Sequence, residues 1–274
     1  MSAVADRALA PAPPHGIGPR LSWAVRDALV VALRNLRRVP RSPELLVFMT
    51  IQPVMFVVLF VYVFGGAIVT PGLDYEDFLL PGILVQSIAF GGSLTGVGLA
   101  EDLQKGLTDR FRSLPMARSA HLTGRTLADI ATNLLQVLVM IAVGYLVGFR
   151  FATSVGEVAL GLLLLLLLGY SFSWISAFIG LLVGNVEAAQ SAGFIWLFPL
   201  TFVSAAFVPP ETMPAALEWF AEVNPITVWV NALRGLFLGV PTDGDVWKGM
   251  LWAVGLVAVF APLAVARYRR VTTH

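Results

Sequence analysis

Residues 158–186 read VALGLLLLLLLGYSFSWISAFIGLLVGNV, 29 positions without an Asp, Glu, Lys or Arg. A helix needs about 20 apolar residues to cross the hydrocarbon core of a bilayer. This stretch exceeds that length, and Gly184-Asn185 marks where it must turn. The pattern recurs on both sides of it. Charge-free runs also cover 45–73, 78–100, 130–149, 188–210 and 249–266. An ionised group at the bilayer centre costs about 2.5–3.5 kcal/mol on insertion scales, so six such runs predict six spanning helices. Gly65, Gly66 and Pro71 end the first, which places the spans at about 45–66, 79–100, 127–148, 158–183, 188–208 and 247–266.

Composition agrees with lipid as the main solvent. Of 274 residues, 57% are hydrophobic and 13% charged, and mean hydropathy is +0.81; soluble domains carry about 25% charged residues. The chain has no cysteine, which excludes disulfides and thiolate metal sites. Its three histidines, His15, His121 and His274, lack metal-ligand spacing. The N-terminus does not read as a cleavable signal peptide, because about 20 residues rich in Ala, Pro and Gly come first. Residues 1–20 are expected to be a disordered tail.

Orientation follows from Lys and Arg in the connections. Seven precede the first span, five lie in 101–129 and three follow the last span. One side of the membrane thus collects 15 and the other 3, namely Arg150, Arg234 and Lys248. Both termini and the 101–129 segment are expected in the cytoplasm.

Two segments do not read as spans. LSWAVRDALVVALRNLRR (21–38) puts Leu21, Val25, Ala28, Leu29, Ala32, Leu33 and Leu36 on one face, with arginines at the polar positions. That is an amphipathic helix over 21–39 lying in the cytoplasmic interface; the alternative is a solvent helix packed on its own protein. RSPE (41–44) then opens the first span, with Ser42 as N-cap. Residues 209–234 are apolar but interrupted by Glu211, Glu218, Glu222 and prolines. Pro214 can open a short helix, AALEWFAEV, which Asn224-Pro225 ends. A pair of short, partly re-entrant helices on the outer face is expected, with a plain surface loop as the alternative. Arg234 there should snorkel to the interface or pair with an acid.

Catalytic patterns are missing. No P-loop, H-E-x-x-H, G-x-S-x-G or dinucleotide fingerprint occurs, so the chain reads as neither an ATPase nor a hydrolase. No ionisable group falls within the uncharged cores, which disfavours a proton- or sodium-coupled carrier. Milder polar residues remain inside the spans. Gln52, Gln86, Asn133, Gln136, Tyr170 and Ser204 are the candidates for lining a substrate cavity, and interhelical hydrogen bonding is the alternative role for each. Gly92-x-x-x-Gly96 and Gly180-x-x-x-Gly184 permit close helix approach.

EDLQKGLTDRFRSLPMARSAHLTGRTLAD (101–129) holds nine of the chain's 35 charges. Leu103, Leu107, Arg110, Phe111 and Leu114 recur at three or four residues, and Pro115 stops the helix that they imply. A solvated loop has no use for apolar residues at that spacing, so the segment reads as a docking surface.

Here the chain resembles the ABC-2 type transporter permeases, in particular the daunorubicin/doxorubicin-resistance membrane subunits. The residues that carry the likeness are Glu101 with Gly106, RFRSLPMAR (110–118), GRTLAD (124–129), FVPPETMP (207–214) and NPITVWVNALRG (224–235). The resemblance covers about 21–270 and implies an all-α integral membrane fold: six spans, an interfacial N-terminal helix, a cytoplasmic coupling helix between spans 2 and 3, and short extracellular helices between spans 5 and 6. It also implies two partners, a cytoplasmic ABC ATP-binding subunit and a second permease subunit, identical or different. Glu101, Arg110, Phe111, Arg112, Leu114 and Arg118 would form the ATPase-coupling interface. Pro214, Asn224, Pro225 and Arg234 would belong to an extracellular gate or its scaffold. No cofactor or metal is expected on this chain, since ATP and Mg would be held by the partner, and no nucleic acid is expected. The expected setting is a bacterial plasma membrane, and the expected activity is drug or antibiotic efflux of hydrophobic or amphipathic small molecules. Export of a lipid-linked glycan by the same architecture is the alternative, and a polytopic membrane enzyme or scaffold a distant one.

Overall fold

The computed structural model describes residues 43–68, 70, 72–105 and 120–271. Eight α-helices organise them: α1 Pro43–Leu59, α2 Tyr75–Gln104, α3 Ala120–Val147, α4 Val155–Val183, α5 Val186–Phe202, α6 Ala215–Val223, α7 Pro225–Leu238 and α8 Asp245–Val271. A π-helical turn, Phe60–Phe64, prolongs α1. The expected interfacial helix over 21–39, the 1–20 tail and most of the expected coupling helix lie outside the described residues.

Among the described residues, four helices are long and apolar enough to cross a membrane: α2, α3 (over Leu122–Val147), α4 and α8 (over Asp245–Arg270). Helix α1 with its π turn runs unbroken from Pro43 to Phe64, about 33 Å at 1.5 Å per residue. Helix α5, at 17 residues, reaches about 25 Å by the same rise. It stops at Phe202, earlier than the uncharged run suggested. Pro199 lies inside its last turn, and the Val203 amide folds back to the Pro199 carbonyl at 2.9 Å. Helix α4 begins earlier than its uncharged run because Ser154 and Glu157 form a reciprocal capping box, which satisfies two amides that would otherwise lack partners.

The bundle has two distinct ends. At the first, the connections around 65–75 and 148–154 meet the segment 203–245. The Tyr75 hydroxyl donates to the Phe207 carbonyl (3.1 Å), the Thr153 hydroxyl to the Leu236 carbonyl (2.6 Å), and the Trp229 indole to the Gly249 carbonyl (3.0 Å). At the second end lie 101–105, the start of α3, the α4–α5 turn and the end of α8. There Leu99, Leu122, Trp174, Ala177, Leu181, Ala264 and Tyr268 form a small buried cluster joining α2, α3, α4 and α8.

Helices α2 and α4 make the most extensive contact in the fold, and small residues permit it. A Cβ on Gly96 would collide with the Ser176 carbonyl oxygen, and one on Gly180 with the carbonyl of Gly96. The two backbones therefore touch, as close helix approach in a bilayer requires. Gly184 plays a different part: it adopts a left-handed conformation (φ 70°) as the C-cap of α4. The faces turned away from the core are apolar. Ile51, Met55, Tyr62 and Val63 on α1, Ile195 and Phe198 on α5, and Leu251, Val254 and Val259 on α8 are exposed, which suits contact with lipid tails. Trp219 and Trp247, both at the first end, are exposed as well, where a membrane interface favours indoles.

Candidate functional site

Residues 209–234 are not a plain surface loop: they hold helix α6 and most of α7, after a 3-10 turn at Pro210–Thr212. Helix α6 keeps Leu217, Trp219 and Val223 exposed, while α7 buries Ile226, Trp229, Val230, Leu233 and Phe237. Asn224 links them. Its carbonyl oxygen accepts from the Ile226 amide (2.9 Å) and caps α7, and its Nδ2 donates to the Leu200 and Val203 carbonyls, both at 2.7 Å. One side chain thus starts α7 and satisfies carbonyls at the end of α5, which explains a polar residue that is only 2% exposed. Pro214 is the N-cap of α6, and Pro225 stands at the first position of α7, where a missing N–H costs nothing.

Arg234 departs from expectation. It neither snorkels nor, among the described residues, bonds a carboxylate. It is 5% exposed and donates to the Phe78 carbonyl from Nε (3.1 Å) and Nη2 (2.8 Å), to the Ala205 carbonyl from Nη2 (2.7 Å), and to Asn231 from Nη1 (3.3 Å). Its guanidinium lies over the Phe78 ring, 3.5 Å from the centroid, a cation–π geometry. Burial pulls its pKa down to about 9, against the fields of Glu211 and Tyr75, so it stays charged at neutral pH. A cavity of about 480 Å³ opens beside it, with Glu211, Glu222, Thr227 and Asn231 in its wall. Arg234 therefore pins the first turn of α2 to the α5–α6 connection.

A second feature runs up from the opposite end between α2 and α3. Arg125 Nη1 donates to Asp102 Oδ2 at 2.7 Å. One turn further along α3, Asp129 accepts from the Thr95 hydroxyl at 2.5 Å. Another turn on, Asn133 and Gln136 both approach Gly91, at 3.0 and 3.2 Å from the Cβ that an alanine would carry there. Asn133 also faces Gly169 of α4. Arg125, Asp129, Asn133 and Gln136 recur at intervals of four, four and three, one face of a helix. That stripe was visible in the sequence and is informative only as a set; Asp129, Thr95 and Asp102 carry no signal singly.

The expected cavity residues separate on this frame. Asn133 and Gln136 share the α2–α3 seam, and Gln86 is buried on α2 more than a turn away from Gly91. Gln52 is half-buried on α1. Tyr170 packs edge-to-face on Trp174 with centroids 6.1 Å apart. Ser204 is occupied locally, donating to the Thr201 carbonyl (2.6 Å) and accepting from the Ala206 amide (3.2 Å). None of the six lines the cavity beside Arg234. A separate apolar groove of about 610 Å³ follows α1, lined by Ile51, Val54, Met55, Val58, Leu59, Tyr62 and Val63. Of the coupling candidates, Glu101 sits on the last turn of α2 and pairs with Lys105, while Arg110, Phe111, Arg112, Leu114 and Arg118 lie outside the described residues.

A helical bundle with short helices inserted at one end and a charged return between α2 and α3 at the other has clear relatives. The family model described as ABC-2 type transporter matches residues 27–238. A daunorubicin resistance ABC transporter permease protein of Streptomyces coeruleorubidus is 34% identical over 259 residues, covering 94% of this chain and 92% of that one. A probable doxorubicin resistance ABC transporter permease protein of Mycobacterium tuberculosis is 25% identical over 252 residues, with 91% of each covered. A probable multidrug ABC transporter permease of Escherichia coli K12 is 22% identical over 204 residues, 73% of this chain and 54% of that one. With most of its length matched and its apolar helices packed as described, this multi-pass membrane protein belongs to the ABC-2 type transporter family.

Proposed function

We propose that the chain is the membrane-spanning subunit of an ATP-driven exporter of hydrophobic or amphipathic compounds. The energy comes from a separate ABC ATP-binding subunit in the cytoplasm. The observation that carries this reading is the end-to-end similarity to a daunorubicin resistance permease. The same reading makes 101–118 the coupling segment and pairs the chain with a second permease subunit.

Its topology is six crossings, α1 to α5 and α8, in a bacterial plasma membrane with both chain termini in the cytoplasm. Two features support that layout. All connections on the side poor in Lys and Arg gather at the first end of the bundle, with Arg150, Arg234 and Lys248 among them. The second end carries Lys105, Arg125, Arg267, Arg269 and Arg270, as the positive-inside rule expects of a cytoplasmic face. The outer end is closed by α6 and α7, held by Asn224 and Arg234, and serves as the extracellular gate.

The test is biochemical. The chain is purified from its native membrane and its partners identified, and the complex is reconstituted in proteoliposomes. A bound P-loop subunit whose ATP hydrolysis rises on adding an anthracycline is the expected result. Purification without any ATP-binding subunit, or hydrolysis indifferent to every amphipathic compound tried, would refute it.

A further inference from the structure

The seam between α2 and α3 has a feature that helix packing alone does not require. Gly98 leaves a notch on α2, and the Arg125 guanidinium occupies it: a Cβ on Gly98 would collide with Arg125 Nη2. From that notch Arg125 reaches Asp102, one turn further along α2, and the aspartate is only 5% exposed. Thr95, three residues before Gly98, holds Asp129, four residues after Arg125. The helices are antiparallel, and 98 against 125, 95 against 129 and 91 against 133 keep a single register, from which Arg125 reaches one turn further along α2 to Asp102. The Arg125–Asp102 pair brackets the end of α2, the return over 105–119 and the start of α3.

We propose that the Arg125–Asp102 pair, seated over Gly98, is a clasp that locks the register of α2 against α3 and makes the two helices move as one unit. Displacement of the return over 105–119 then reaches the spans instead of being lost as slippage between its two stems. Setting register is the best-attested use of buried polar and ionic groups. The pair is partly shielded from water, with side chains 21% exposed for Arg125 and 7% for Asp102, so it is screened less than a surface ion pair. Slipping α3 by one turn would carry Arg125 out of the notch and leave Asp102 with a different neighbour. Arg125 and Asp102 are positioning residues in this account. The part played in transport rests on the function proposed above; the register lock does not.

The experiment has two arms. Because the chain contains no cysteine, Gln104→Cys and Leu134→Cys, both exposed, are the only sites for nitroxide labels. Spin–spin distances are measured on the full chain in lipid nanodiscs without any partner. The expected result is one narrow distribution for the parent, broadened by Arg125→Gln and equally by Gly98→Val, which only crowds the notch. The swapped pair Asp102→Arg/Arg125→Asp should narrow it again. If Arg125→Gln fails to fold, Arg125→Lys replaces it, and an intermediate width is expected. In the second arm, the reconstituted complex bearing Arg125→Gln should retain anthracycline-stimulated ATP hydrolysis while exporting about fivefold less anthracycline per ATP, a typical size for coupling between sites. A purely stabilising role would lower the yield of complex and leave that ratio unchanged. A narrow distribution in Arg125→Gln, or export per ATP equal to the parent's, overturns the clasp. Absence of any ATPase partner from the parent complex would refute the proposed function, and the distance arm would still decide the register lock.

Discussion

Single polar side chains hold the first end of the bundle together, and two of them make clear predictions. Asn224 serves three backbone groups at once. Asn224→Ala orphans the Leu200 and Val203 carbonyls and removes the cap of α7, so it should lower the Tm in detergent by about 5–10 °C, from typical costs of unsatisfied buried groups and lost caps. An unchanged Tm would mean that these bonds do not support the fold. Arg234 binds two carbonyls through a fork that lysine cannot reproduce. Arg234→Leu should destabilise more than Asn224→Ala, and Arg234→Lys should recover only part of the loss. Equal stability for the Lys variant would show that charge alone suffices there. The sequence pointed to both residues, through the Asn-Pro junction and through a lone arginine in an apolar stretch. It did not show their partners, because Phe78 and Ala205 contribute backbone carbonyls, which carry no mark in the sequence.

Helices were legible where their signal is a long uncharged run, and least legible where a short element is buried. Helix α4 announced itself over 158–186, and only its capping box shifted the start. Helix α7, at 14 residues, looked too short and too charged to cross alone. Its burial rests on Trp229 and Phe237 meeting α4 and α8, a fact of assembly that no local pattern contains. Small residues were similarly ambiguous: Gly96 and Gly180 form the α2–α4 crossing, whereas Gly184, at the same spacing, is a helix cap. The return between α2 and α3 carries the element-scale prediction. Arg110→Glu with Arg112→Glu should abolish co-purification of the ATP-binding subunit, since reversed rim charges oppose docking and change partner choice. Undiminished partner binding and ATPase stimulation would move the docking surface elsewhere.

At the scale of the whole molecule, the two ends of the bundle differ in kind. One is closed by inserted helices pinned by Arg234 and Asn224; the other bears the basic residues and the polar seam. Under the proposed function, one end would receive the drive and the other would release the cargo. That reading predicts that Glu76→Cys reacts with a membrane-impermeant maleimide added to intact cells, whereas Thr108→Cys reacts only once the membrane is opened. Labelling of both from the same side would overturn the topology. The central claim, ATP-driven export through this subunit, is tested most directly in inside-out membrane vesicles holding the complex. Adding ATP should drive a fluorescent anthracycline into those vesicles, and vesicles lacking this chain should show no such uptake. Equal accumulation with and without the chain, or with and without ATP, would contradict the account.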